Sequence, residues 1–325
     1  MDAAERHTPV MLDRCVDLLA PALTKPGAVA IDGTLGMGGH TEAILTRCPE
    51  ATVVGIDRDP QAIDLASARL ARFGDRFRAH HAEYDDIAGA LALAGADAAD
   101  GILLDLGVSS LQIDEAERGF SYAQDAPLDM RMNPEEPVSA ADLLRDASQE
   151  ELTRILRDYG EERFAARIAE AIVRRRAQAP ITRSGELVDL VRACIPAATR
   201  TPGSNPAKRT FQGLRIAVNR ELEVLERALP RAIEGTAIGG RVVVMSYHSL
   251  EDRIVKRAFA AGAESTAPVG LPVVPDEDAP YLRLLTRGAE KASAAEAEAN
   301  PRSKPVRLRA VERVRATPAS RRRAA

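Results

Sequence analysis

The chain has no tryptophan, only six phenylalanines and five tyrosines, and three cysteines in 325 residues. So few rings leave few side chains able to stack on a nucleobase. Cys15, Cys48 and Cys194 are odd in number and far apart, which excludes both a disulfide framework and zinc-ligand spacing. No apolar run reaches the roughly 18–20 residues that a membrane helix needs. The opening MDAAERHTPV is charged where a signal peptide is apolar, so the chain is expected to be cytoplasmic. Neither a G-x-x-x-x-G-K-[ST] loop nor a G-x-S-x-G elbow is present, which argues against an ATPase and against a serine hydrolase. What remains is a balanced composition, 45% hydrophobic and 28% charged, of the kind that packs a core.

Charge is unevenly spread. Residues 301–325 carry nine Lys/Arg against one Glu, a local +8, so the net charge of −4 leaves −12 for the rest. That end reads as either a phosphate-seeking tail or an ordinary solvated terminus. Residues 196–215 hold Arg200, Lys208, Arg209 and Arg215 with no acid, among Pro, Gly and Ser. They read as a mobile basic loop suited to RNA.

Short apolar runs at 28–32, 52–57, 101–105 and 241–246 read as buried parallel strands. Asp59-Pro60 supplies an N-cap and a first-turn proline after the second. The alternation of strand and helix implies a doubly wound α/β sheet that binds ligands beyond the carboxyl ends of its strands. Between about 118 and 210 helical spacing takes over, with Leu152, Ile155, Leu156 and Tyr159, then Phe164, Ile168 and Ile172. A single helix through Leu214, Val218, Leu222 and Leu225 is expected to return the chain to the strand at 241–246. The predicted organisation is a discontinuous domain, 1–117 with 211–325, interrupted by a helical insert, 118–210.

Three segments promise chemistry at the strand ends. DGTLGMGGHT (32–41) lets the backbone turn tightly before a helix N-terminus, but the third position of a G-x-G-x-x-G fingerprint is Thr41. An acid ahead of the glycines is instead the pattern of S-adenosylmethionine sites. Asp57, ending the second strand, suits the hydroxyls of an adenosine ribose, whether in that cofactor or in NAD. Tyr84 either covers an adenine face or closes the core. Asp105 ends the third run, in DLGVSSLQID, and SYHSLED (246–252) places Ser246, His248 and Ser249 after the fourth. A nicotinamide-dependent oxidoreductase and a non-catalytic RNA-binding factor remain the alternatives.

HTPVML (7–12), DGTLGMGGHT, GIDRDPQAI (55–63), DGILLDLGVSS (100–110), PLDMRM (127–132), YGEERFAARIAEAIV (159–173), RTFQGLRIAVNREL (209–222), SYHSLEDRIVK (246–256) and NPRSKPVRLRAVER (300–313) together resemble one family. It is the bacterial 16S ribosomal RNA cytosine-N4-methyltransferases, and the similarity runs nearly end to end. Leu111 stands where proline is usual, Tyr247 where phenylalanine is usual, and residues 262–297 match poorly. The resemblance implies a Rossmann-like S-adenosylmethionine-dependent methyltransferase sheet with an inserted helical domain for substrate recognition. By the same resemblance Gly38, Gly39, His40, Asp57, Tyr84, Asp105 and Gln112 bind S-adenosylmethionine. The implied partner is 16S rRNA within the 30S subunit, methylated at a decoding-region cytidine, with no metal and no membrane; a homodimer is compatible with it.

The sulfonium is an activated donor, so such an enzyme mainly aligns donor and acceptor. The lone pair of cytosine N4 is delocalised into the ring, so an acceptor on its N–H must favour the pyramidal amine. Asp105 is the first candidate; if it holds the methionine ammonium instead, the Leu106 carbonyl, Ser246 or His248 takes that part. A base in folded RNA must also leave its stack. Phe120, Tyr122 and Phe211 then either stack on it or pack a core.

Overall fold

The computed structural model describes residues 9–122, 124–199, 205–268 and 273–322. Two compact units emerge, Met1–Gly107 with Leu222–Ala325, and Val108–Glu221. The expected insert, 118–210, lies within the second.

In the first unit seven strands form one sheet: β1 (Val29–Asp32), β2 (Thr52–Asp57), β3 (Phe77–His81), β4 (Ala99–Asp105), β5 (Thr236–Ser246), β6 (Leu282–Leu284) and β7 (Arg307–Arg313). Their order is β3-β2-β1-β4-β5-β7-β6. The first five run parallel, while β7 lies antiparallel between β5 and β6. All four residues of β1 and six of the seven in β4 are buried, as strands covered on both faces must be. Alternation sorts them: Ala30, Val53, Leu103, Val243 and Met245 enter one core cluster, and Ile31, Val54, Ile102, Leu104, Val242 and Val244 the other.

Helices α1 (Leu12–Leu23), α2 (Gly39–Arg47) and α3 (Pro60–Leu70) supply Leu19, Leu23, Ile44, Leu45, Ala66 and Leu70 to the first cluster. To the second, α4 (Ile87–Ala94), α5 (Glu221–Gly235) and α6 (Ser249–Ala263) bring Ile87, Leu91, Leu225, Leu229, Val255 and Phe259. Asp59 caps α3 as expected, its Oδ1 accepting from the Gln61 amide at 3.1 Å. The doubly wound α/β class is therefore the observed one.

The second unit has its own core, in which Leu152, Ile155, Leu156, Ile168, Ile172, Leu187, Val191, Phe211 and Leu214 pack together. Asn219 fastens it, its side chain accepting from the Met132 amide (2.8 Å) and donating to the Met130 carbonyl (2.7 Å).

Three expectations need correction. Residues 208–215 are not a loop: Lys208–Asn219 is a helix, in which Arg209 donates to the Glu161 carbonyl and Arg215 pairs with Glu221 at 2.9 Å. Arg200 lies outside the described residues. The single helix expected through 214–225 is two, parted at Arg220 by a left-handed φ of 51°. The basic end is no free tail, because Arg307 and Arg309 sit on β7 and pair with Asp252, and Arg313 is buried and donates to the carbonyls of Glu234 and Thr236. Of the two alternatives left open for Phe211, the structure shows core packing, edge-on against Tyr122 at 5.8 Å.

Candidate functional site

The carboxyl ends of β2, β1 and β4 lie side by side, and β1 is where the order of connection reverses. The turn after β1 is built from within. Asp32 is buried and takes hydrogen bonds from Thr41 Oγ1 (2.7 Å) and the Thr34 amide (3.2 Å). Both of its oxygens therefore hold the turn itself. Gly38 opens α2 with φ +78°, and a Cβ there would also meet Leu70 Cδ1 at 2.9 Å; only glycine fits. On Gly39 a Cβ would strike Pro9 at 2.4 Å, so Pro9 lies directly over this turn.

His40 is buried one residue further on. Its Nε2 lies 3.1 Å from the Val10 carbonyl, which can only accept, so Nε2 carries the proton. Nδ1 faces Asp105 Oδ2 at 3.8 Å. Asp57 binds back to the turn, Oδ2 accepting from the Gly36 amide (2.8 Å) and Oδ1 from the Asp59 amide (2.9 Å). Each oxygen retains a further lone pair. Burial pushes Asp57 up to about 6 against the pull of those two amides.

Asp105 is joined to the same turn through its backbone, whose amide donates to Thr34 Oγ1 at 2.6 Å. Its Oδ1 accepts from the Tyr247 hydroxyl at 2.7 Å, and its side chain is 23% exposed. Burial, with Asp32 and Glu251 adding, raises it to about 6, while His40 and Tyr247 pull it down. Among the described residues, no lysine or arginine pairs with Asp32, Asp57 or Asp105. Three carboxylates thus gather at adjoining strand ends with no lysine or arginine partner among the described residues, an arrangement that favours a cationic ligand and opposes a pyrophosphate.

Tyr84 is half-buried against the second core cluster, and a Cβ on Gly33 would come within 3.4 Å of its Cβ. Its neighbours are clamped. Glu83 accepts from Arg58 and Arg227 (2.9 Å each), and Asp85 from Arg227 (2.7 Å) and Arg231 (2.8 Å). Ser246 is buried at the end of β5, with Met245 accepting from the Leu106 amide at 3.0 Å. His248 caps α6: Nδ1 lies 3.4 Å from the Glu251 amide, and Nε2 lies 3.2 Å from Glu251 Oε1. Gln112 belongs to the second unit, where it is buried and forms a reciprocal cap with Ser109 (3.0 and 3.3 Å).

Gly38, Gly39, His40, Asp57, Tyr84 and Asp105 thus gather around adjoining strand ends of one unit. The sequence reading missed Thr34, the Tyr247 hydroxyl and the arginine clamp. Paired arginines at 227 and 231, one helical turn apart, were the only signal of the clamp.

The chain is 64% identical to a Beutenbergia cavernae protein named ribosomal RNA small subunit methyltransferase H, over 97% of this chain and 95% of that one. A protein of the same name from Saccharopolyspora erythraea is 62% identical, over 96% and 95%. Among solved structures, a putative rRNA-methylase from Clostridium thermocellum aligns with a TM-score of 0.44 at 12% identity, covering 94% of this chain and 99% of that one. The MraW methylase family model matches residues 4–314. With nearly its whole length so matched, the chain belongs to the MraW methylase family.

Proposed function

We propose that the protein transfers a methyl group from S-adenosylmethionine to N4 of a cytidine in the decoding region of 16S rRNA. The observation that carries the site reading is the rim of Asp57 and Asp105, half-buried carboxylates with no lysine or arginine partner among the described residues, on either side of the glycine turn. When bound, the cofactor supplies an electrophilic methyl and a cation. Asp57 accepts from the ribose hydroxyls with the lone pairs left free by Gly36 and Asp59. Asp105, with Oδ1 held by Tyr247, offers Oδ2 to the amino-acid ammonium. Gly38, Gly39 and the buried His40 shape the floor, and Tyr84 covers the adenine. A dinucleotide would set its pyrophosphate among these acids, which disfavours the oxidoreductase alternative.

The acceptor for N4–H comes from the edge where β4 and β5 end. Leu106, Ser246 and His248 lie there, and polarising the amine is their part in the reaction. Gln112 is a further cofactor-binding residue, and the second unit, with Lys208 and Arg209, recognises the RNA, its basic side chains meeting phosphates. The relatives' shared name supports the small-subunit substrate.

The decisive measurement is methyl transfer from labelled cofactor to purified small subunits, followed by mapping of the modified nucleotide. Label is expected at N4 of one cytidine, and Gly38→Val should abolish both transfer and cofactor binding. Label on another base, or none with wild-type protein, would overturn the proposal.

A further inference from the structure

We propose that Tyr247 is a positioning residue whose hydroxyl pins Oδ1 of Asp105 and so reserves Oδ2 for the cationic end of the cofactor. This rests on the reading that Asp105 binds that end. The ring sits one residue beyond β5, and its backbone is anchored by the Tyr247 amide donating to Glu251 Oε2 at 2.8 Å. From there the phenol reaches across to the end of the neighbouring strand, beside Gly107, where a Cβ would lie 3.6 Å from Tyr247 Cδ2. A phenol packed against a core needs a hydrogen-bond partner, and Asp105 is the partner it has.

The donor is durable. Burial first, and then the charge of Asp105, hold the Tyr247 phenol well above its ordinary range, so it keeps its proton at every working pH. Asp105 is also faced by His40 from α2, Asp32 from the end of β1, Cys15 from α1 and Glu251 from α6. Of these, Asp32 and Glu251 oppose its charge, and His40 and Tyr247 favour it. Among the described residues, Tyr247 alone donates a hydrogen bond to the carboxylate. Phenylalanine at this place would keep the ring and its packing while removing that donor, so the hydroxyl can be tested without disturbing the core.

The test is calorimetric titration of S-adenosylhomocysteine, which keeps the ammonium and lacks the sulfonium, between pH 5.5 and 8 for wild type, Tyr247→Phe and Asp105→Asn. Wild-type affinity should weaken below about pH 6, where Asp105 takes up a proton. Tyr247→Phe should move that fall upward by roughly half to one pH unit, a loss of about 1.5- to threefold near pH 6.5 that grows to about three- to eightfold at pH 5.5, with wild-type affinity regained at pH 8. Asp105→Asn should bind at least tenfold more weakly at pH 8 and lose this pH step. If Asp105→Asn binds like wild type across the range, the Asp105 reading itself fails. If Asp105→Asn weakens binding yet the Tyr247→Phe curve overlays wild type, the reading of Asp105 stands and the role of Tyr247 is refuted.

Discussion

Asp105 shows what a binding carboxylate costs its own fold. Its acidity in the folded protein corresponds to a pKa of about 6, above the ordinary 3.8, chiefly through burial. A carboxyl group raised in this way binds its proton more tightly folded than unfolded. Stability is therefore greatest at low pH on its account, falls as pH rises from about 4 to about 6, and stays reduced above that. Allowing for its partial exposure, the cost at neutral pH is on the order of 1–2 kcal/mol. Asp105→Asn keeps an oxygen for the Tyr247 hydroxyl and turns an amide toward His40 Nδ1, so it removes the charge without orphaning a partner. The ligand-free variant should melt a few degrees higher than wild type at pH 7.5, and the gap should shrink as pH falls from about 6 and close below about pH 4. A lower melting temperature at pH 7.5 would contradict this. Asp57 and Asp105 were legible in the sequence because each directly follows an apolar run. Tyr247 was not, since what matters about it is a hydroxyl whose partner lies 142 positions away.

At the scale of elements, the segment Glu83–Tyr84–Asp85 is fixed by charge as well as by the packing of Tyr84. Arg227 and Arg231 on α5 grip it from one side, and Arg58, next to the ribose-binding candidate Asp57, from the other. Replacing Arg227 and Arg231 together by Ala should free Tyr84. Affinity for S-adenosylhomocysteine should fall several-fold, and because the buried Asp85 loses both arginine partners, the melting temperature should fall by several degrees at neutral pH. Unchanged affinity would show that Tyr84 is held by other contacts. The buried strands β1, β2, β4 and β5 declared themselves as unbroken apolar runs. In contrast, β3 (FRAHH) and β7 (RLRAVER) are too polar to do so. One is a half-covered edge, and the other carries arginines whose partner, Asp252, lies on a helix more than fifty residues earlier. Their basic character was visible, but its neutralisation was not. Likewise the break between the two helices at Arg220 rests on one residue's left-handed backbone, which arginine does not announce.

For the whole molecule, the sheet is not assembled in the order in which it is encoded. The last strand, β7, takes the place between β5 and β6, pairing with six residues of one and three of the other. Until residues 307–313 arrive, β5 is an open edge of buried-type sequence, the kind of edge that recruits other chains. A chain stopped after residue 305 should therefore collect in the insoluble fraction, whereas a soluble truncation with a cooperative melt would refute this. During synthesis, moreover, residues 307–313 must emerge before the sheet can close. A nascent enzyme of this design becomes competent only once they have done so, and a message cut short before them leaves nothing that works at a lower rate.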